Sequence, residues 1–186
     1  MTVRLLPGQV VTQTDRLRLY AMSDDAHADA ALMLALLNDA AFIRNIADRG
    51  VRTLEQASDY LRNGALRSYA EHGFGMYAVQ LKDTGALIGN CGLVRREGLD
   101  GPDLGYALLP DHCGKGYACE AARAVIADTR TRLGITRLQA IVNPDNATSI
   151  GLLQKLGFGF ERMVALPHVE HALDLFHLNI PTEANA

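Results

Sequence analysis

The chain has 186 residues, with 18 Lys and Arg against 21 Asp and Glu and a formal net charge of −3. That length suits one domain with a core needing neither disulfides nor metal, and scattered basic residues exclude a nucleic-acid footprint. Three cysteines (Cys91, Cys113, Cys119) are an odd count that argues against a disulfide framework, and no apolar run is long enough for a membrane span or a signal peptide.

A single domain over residues 1–186 in the cytoplasm is therefore expected, with residues 1–13 as a loose lead-in. Thr14 to Tyr20 then alternates polar and apolar residues as a half-buried strand does. Ser23, Asp24 and Asp25 read as an N-cap and acidic first turn for an alanine- and leucine-rich helix ending at Asn38. Residues 39–52 show no clean period and read as loop or short turns. Thr53-Leu54-Glu55-Gln56 is a capping box that opens a second helix, stopped near His72-Gly73.

From Gly75 the pattern becomes extended. Residues 75–81 and 86–94 read as two strands joined by the turn Lys82-Asp83-Thr84-Gly85. After a charged loop, Leu104 to Leu109 is a third apolar strand, and a helix begins after Gly116 and stops at Gly134. With the strand Leu138–Val142 this makes a β-α-β unit, right-handed in nearly all cases. Asn143 to Asn146 breaks that strand and caps a short helix, Ala147 to Leu156, closed by Gly157-Phe158. Strand patterns near 158–166 and 172–179 finish the sheet.

The stretch Asp111-His112-Cys113-Gly114-Lys115-Gly116-Tyr117-Ala118 carries the chemistry. A strand, a glycine-rich turn and a helix N-terminus together expose free backbone N–H groups at the positive end of a helix dipole, which is an anion site. The turn fails the Walker pattern, because Gly114-Lys115 is followed by Gly116 and Leu109 stands where the first glycine belongs. It also fails the dinucleotide fingerprint, since Cys119 occupies the third glycine position and the unit lies mid-chain. A nucleotide-binding α/β enzyme is thereby disfavoured. Cys113, Cys119 and His112 have no second close pair, so no metal is expected.

Two motifs in order, Cys113 to Ala121 and Asn146-Ala147-Thr148-Ser149 with Lys155-Leu156-Gly157-Phe158, resemble the Gcn5-related N-acetyltransferase (GNAT) superfamily. Within it, the chain resembles the group that includes the ribosomal-protein alanine acetyltransferases (RimJ/RimL-like). The resemblance extends to Thr14–Leu19, Leu87–Leu93 and Asp103–Leu108, and so covers nearly the whole chain. It implies an α+β fold in three αβα layers, with a mixed, mostly antiparallel sheet, a central parallel strand pair that splays apart, and about four helices. Acetyl-coenzyme A would sit in the splayed cleft. Its pyrophosphate would take N–H bonds from Cys113, Gly114, Lys115, Gly116, Tyr117 and Ala118, and its pantetheine would pair with backbone near residues 106–109. The family favours Gln or Arg where Cys113 stands.

The implied reaction is acetyl transfer to a primary amine, on a small molecule or a protein N-terminus, by direct attack in a ternary complex. A neutral amine attacks, a backbone N–H near Leu108 polarises the thioester carbonyl, and a donor protonates the departing thiolate. The tyrosine that many relatives use as donor is replaced by Leu153, and Ser149 matches the hydroxyl used instead in the ribosomal-protein group. Read by itself, Ser149 also suits a helix cap, and Asn146 suits either a cap or a pantetheine contact. Asp103 is the leading candidate base, followed by His168, with Glu97 and His72 behind and a water relay as the alternative. A non-catalytic acyl-coenzyme A binder on the same fold is the competing reading. A monomer or homodimer is expected, and the acceptor has no motif.

Overall fold

The computed structural model describes residues 4–167 and 169–181. Eight strands form one sheet: β1 (Val10–Gln13), β2 (Leu17–Ala21), β3 (Met76–Leu81), β4 (Leu87–Arg95), β5 (Pro102–Leu108), β6 (Arg137–Val142), β7 (Gly159–Val164) and β8 (Leu173–Asn179). Their order is β1-β2-β3-β4-β5-β6-β8-β7. All neighbours are antiparallel except β5 and β6, whose only registered partners are Asp103 and Gln139 at the start of β5. Beyond that pair the two strands part, as expected for a splayed centre.

The helices pack on both faces. On one face lie α1 (His27–Leu37), α2 (Ala40–Asn45), α3 (Leu54–Leu61) and α4 (Arg67–His72). On the other lie α5 (Tyr117–Leu133) and α6 (Ala147–Lys155). Two buried clusters mark the layers. Met22, Met33, Leu36, Leu37, Leu61 and Ala78 pack between α1–α4 and the sheet. Leu93, Leu104, Ala121, Val125, Leu138 and Leu153 pack between the sheet and α5–α6. The mixed α+β architecture is the one expected.

Several local signals form as read. Thr53 accepts from Gln56 N–H while the Gln56 side chain returns to the Thr53 N–H, completing the capping box of α3. The end of α6 is a Schellman turn: Phe158 N–H bonds to Leu153 O at 3.0 Å and Gly157 N–H to Gln154 O at 3.0 Å. Leu153 and Phe158 then share the core.

Other expectations fail, each for a tertiary reason. The lead-in contains strand β1, a bulged edge strand whose pairing with β2 supplies the order that its own pattern lacks. Ser23 does not cap α1, which starts after Ala26 without a side-chain cap. Instead Asp29, 2 % exposed, turns back to accept from Tyr20 OH at 2.6 Å and Ser23 N–H at 2.8 Å. The second helix is divided by a π-helical turn over Arg62–Leu66, and the stretch read as loop or short turns contains α2, capped by Asp39.

Candidate active site

The turn between β5 and α5 opens with Pro110–His112 in a 3-10 turn, so that Cys113 N–H donates to Pro110 O at 3.1 Å. That N–H is already spent, so the expected donor at Cys113 is corrected. The first intrahelical bond of α5 is Glu120 N–H to Gly116 O, and no side chain caps the helix. The backbone N–H groups of Gly114 to Cys119 therefore have no backbone partner among the described residues and lie at the positive end of a 17-residue helix. Gly114 and Gly116 have φ of 75° and 83°, values that a side chain resists.

Arg16, in the bend just before β2, holds this turn from outside. Its Nη2 meets Glu120 Oε2 at 2.5 Å, its Nη1 donates to Lys115 O at 3.2 Å, and its guanidinium lies 4.4 Å over the Tyr117 ring. Glu120 also accepts from Thr14 Oγ1 at 2.5 Å. Partial burial pushes the Glu120 carboxyl upward, but the bonds from Thr14 and Arg16 outweigh it and hold the group below its ordinary value. Sequence reading missed this clamp. The basic residue just before β2 and the acid in the first turn of α5 are 104 positions apart, and only the fold pairs them.

The second motif meets the first strand across the cleft. Asn146 Oδ1 accepts from Ser149 N–H at 3.2 Å, so Asn146 is a helix cap. Ser149 Oγ is left free to bond Tyr106 OH at 2.8 Å. Burial pushes the Tyr106 phenol up to about 12, with the Ser149 bond acting in the opposite direction. Leu109 N–H donates to Ile88 O at 2.8 Å. By the alternation of an antiparallel ladder, the N–H of Leu108 then points away from β4 toward the gap beside β6. Ser149, Tyr106 and Leu108 thus converge where the parallel strands separate.

Asp103 lies at the opposite end of β5, about 17 Å of strand from Leu108. It is 1 % exposed and both its oxygens accept from Arg96 Nε at 3.1 Å. Burial raises its carboxyl above the usual range, and Arg96 only partly opposes that. Asp103 is thus a buried strand residue rather than a solvated loop carboxylate, and it does not join the convergence at Leu108. His168 lies outside the described residues. Cys113 Sγ turns toward Leu108 O and Leu109 O at 3.9 and 3.7 Å, and burial raises its thiol. Cys119 is buried on α5.

A cavity of about 440 Å³ lies between α1–α4 and strands β3–β5. Gly75 and Gly105 line part of it. A Cβ at Gly105 would come within 3.2 Å of Met76 Sδ, and one at Gly75 within 2.5 Å of the Tyr69 ring. Asn90 of β4 also lines it, beside Ala107 in the register.

Residues 16–159 match the family model described as an acetyltransferase (GNAT) domain. An uncharacterized N-acetyltransferase of Bacillus subtilis, YoaA, is 28% identical over 149 residues, covering 80% of this chain and 82% of its own. Among solved structures, a GnaT-family acetyltransferase from Bordetella pertussis is 27% identical with a TM-score of 0.74, covering 91% of this chain and 98% of its own. An acetyl transferase of Salmonella typhimurium that modifies the N-terminal serine of ribosomal protein L7/L12 shares the fold at 18% identity and a TM-score of 0.76. It covers 93% of this chain and 100% of its own.

Proposed function

The chain belongs to the GNAT acetyltransferase family and is an acetyl-coenzyme A-dependent acyltransferase, and from that premise we propose how its residues carry the transfer. The acetyl donor lies in the gap between β5 and β6. Gly114 to Ala118 offer N–H groups to its pyrophosphate, and Arg16 keeps that turn in shape. The unpaired β6-facing backbone of Tyr106 pairs with the pantetheine arm, which leaves the Leu108 N–H for the thioester carbonyl. The cofactor contacts are assigned to Gly114 to Ala118 and not to Cys113, whose N–H and Sγ are both turned to carbonyls of the chain itself.

The amine nitrogen attacks the thioester carbonyl carbon, forming the C–N bond and placing negative charge on the carbonyl oxygen, which Leu108 N–H stabilises. Collapse breaks the C–S bond, and the thiolate takes a proton from Ser149, whose hydroxyl is recharged through Tyr106 or water. The ammonium gives one proton to water before it attacks as the neutral amine, and the nitrogen gives up a second proton to solvent once the C–N bond has formed. The products are an N-acetyl amide and the free thiol.

The observation that carries this reading is the 2.8 Å contact between Ser149 Oγ and Tyr106 OH at the point of strand separation. Asn146 satisfies the helix N-terminus through Ser149 N–H, so the Ser149 hydroxyl is not required as a cap. Asp103 is assigned to holding Arg96 rather than to proton removal, because its carboxylate is committed to that guanidinium. Water then removes the amine proton.

Calorimetry with acetyl-coenzyme A, followed by thiol release with an amine panel, tests the reading. Binding with turnover is expected. Binding without turnover on any amine would favour a non-catalytic acyl-coenzyme A binder, and no binding would sink both.

A further inference from the structure

The cavity between α1–α4 and strands β3–β5 has an apolar floor and a charged rim. Met22, Met33, Leu61, Met76 and Ala107 line it and belong to one apolar cluster. Three of the chain's five methionines thus gather at one cavity, and methionine is the side chain that reshapes itself most readily around a variable apolar guest. Asn90, the buried polar residue of the floor, is 4 % exposed and has its Nδ2 3.6 Å from Met33 Sδ, so it offers a guest little. The charges lie farther out. Arg49, Arg67 and Glu71 are exposed, with Arg67 tied to Glu71 at 2.7 Å. Arg96 is tied to Asp103 at 3.1 Å, and the exposed Arg95 donates to Asp100 O at 3.0 Å.

One wall runs counter to helix stability. Between α3 and α4 the chain makes a π-helical turn over Arg62–Leu66, with Gly64 at its middle. A π-turn is wider than an α-turn and rare, and glycine weakens a helix interior relative to alanine. Gly64 does not use glycine's special freedom, since its φ is not positive, and a Cβ there would meet nothing within 4 Å. No neighbour among the described residues therefore requires a glycine. Tyr60, Gly64 and Ser68 follow one another at four-residue spacing along this wall, and all three line the cavity. Gly64 is exposed, and Ile46 at the end of α2 lines the cavity while 47 % exposed, so the two mark its mouth. What the glycine and the wide turn gain is room there.

We propose that the acceptor is a primary amine on an extended apolar stem, enclosed among Met22, Met33 and Met76, with its far end leaving the cavity across Gly64 as the specificity-determining residue. This rests on the acetyl-transfer reading. The amine end lies toward Ala107, the residue before Leu108, whose N–H receives the thioester oxygen. An apolar enclosure also favours the reactive form. Withdrawing an alkylammonium from water disfavours its charge, so the nitrogen gives its proton to water more easily where no free carboxylate base is at hand. A stem interrupted by further ammonium groups loses that advantage, because each would be buried without a partner.

The test uses the full chain with acetyl-coenzyme A and linear alkylamines from propylamine to octylamine, with a linear polyamine of matching length as a further arm. Each methylene enclosed should raise kcat/KM about threefold, mostly through KM, until the stem reaches the mouth. The polyamine should fall at least about tenfold below the alkylamine of its length. In Gly64→Leu the octylamine-to-propylamine ratio of kcat/KM should fall about tenfold, the factor lost when two methylenes are shut out. Gly64→Leu and Gly64→Ala should both melt no lower than the parent, and up to about 2–4 °C higher, since both residues favour a helix over glycine. A kcat/KM independent of stem length, a preference for the polyamine, or an unchanged ratio in Gly64→Leu overturns the inference while leaving acetyl transfer intact. A lowered melting temperature in Gly64→Ala assigns the glycine to the fold and overturns it as well. If no amine is turned over, the transfer reading fails. Calorimetry of octylamine against the coenzyme A complexes of the parent and of Gly64→Leu then decides the stem site, and equal affinities there overturn it.

Discussion

Replacing Ser149 by Ala separates chemistry from architecture with little structural noise. The helix cap at this position is the Ser149 N–H on Asn146, which alanine keeps, whereas the 2.8 Å bond between Ser149 Oγ and Tyr106 OH disappears with the hydroxyl. One such bond contributes about 1 kcal/mol, so the melting temperature should fall by only about 2–4 °C for a chain of this length. The departing thiolate has an ordinary pKa near 8.5, and a positioned donor to such a group contributes about 10²–10⁴ in rate. Tyr106 stays nearby but is not aligned by Ser149, so the low end applies. Stopped thiol-release assays should show kcat reduced by about 100-fold, with the calorimetric Kd for acetyl-coenzyme A within about threefold of the parent. Tyr106→Phe should reduce kcat less, by about tenfold, because Ser149 retains its hydroxyl. A Ser149→Ala enzyme with kcat within about threefold of the parent would refute the assignment and leave Ser149 as a helix residue.

Gly116→Val forces a β-branched residue to φ 83° and brings a side chain toward Arg16 Nη2, 3.5 Å from an ideal Cβ. Affinity for coenzyme A by calorimetry should weaken by more than about tenfold, since the strain is at least about 1–2 kcal/mol and distorts the free N–H groups. Unchanged affinity would place the pyrophosphate elsewhere. Arg132→Ala leaves Asp128 buried without its guanidinium and removes bonds to Gly73 O at 2.7 Å and Tyr77 OH at 3.1 Å. Urea unfolding should show a loss of about 3 kcal/mol, and a loss under about 1 kcal/mol would mean the network is solvated. Asp103 has its folded pKa raised by burial, so the folded chain keeps a proton that the unfolded chain releases, and stability from this group falls as pH rises through that window. Melting Asp103→Asn beside the parent from about pH 3 to 7 should therefore move the difference in the variant's favour as pH rises. The opposite slope would mean that Arg96 dominates.

The amino-acid sequence by itself determined the glycine turn before α5, the capping box of α3, the hairpin turn at Lys82–Gly85 and the closing turn at Gly157-Phe158. All are local, set by φ preferences and by hydrogen bonds within a few residues, and they identify elements without help from the rest of the chain. The paired motifs also pointed correctly to the family, because a helix N-terminus after a glycine turn exposes its donors wherever it occurs. Tertiary structure decided what local patterns cannot contain. β1 becomes a strand only beside β2, Asp29 turns back from its helix to bond Tyr20, and Arg16 reaches Glu120 across 104 positions. The donor pair Tyr106 and Ser149 belongs to the same class. Each depends on which side chains face one another across the sheet, and strand alternation tells which face a residue takes but not what stands opposite. The cavity between α1–α4 and the sheet shows the same thing for electrostatics: Arg49, Arg67, Arg95 and Arg96 line it against the single carboxylate Glu71, although the whole chain is at −3, so charge counted along a chain does not predict charge gathered at a site.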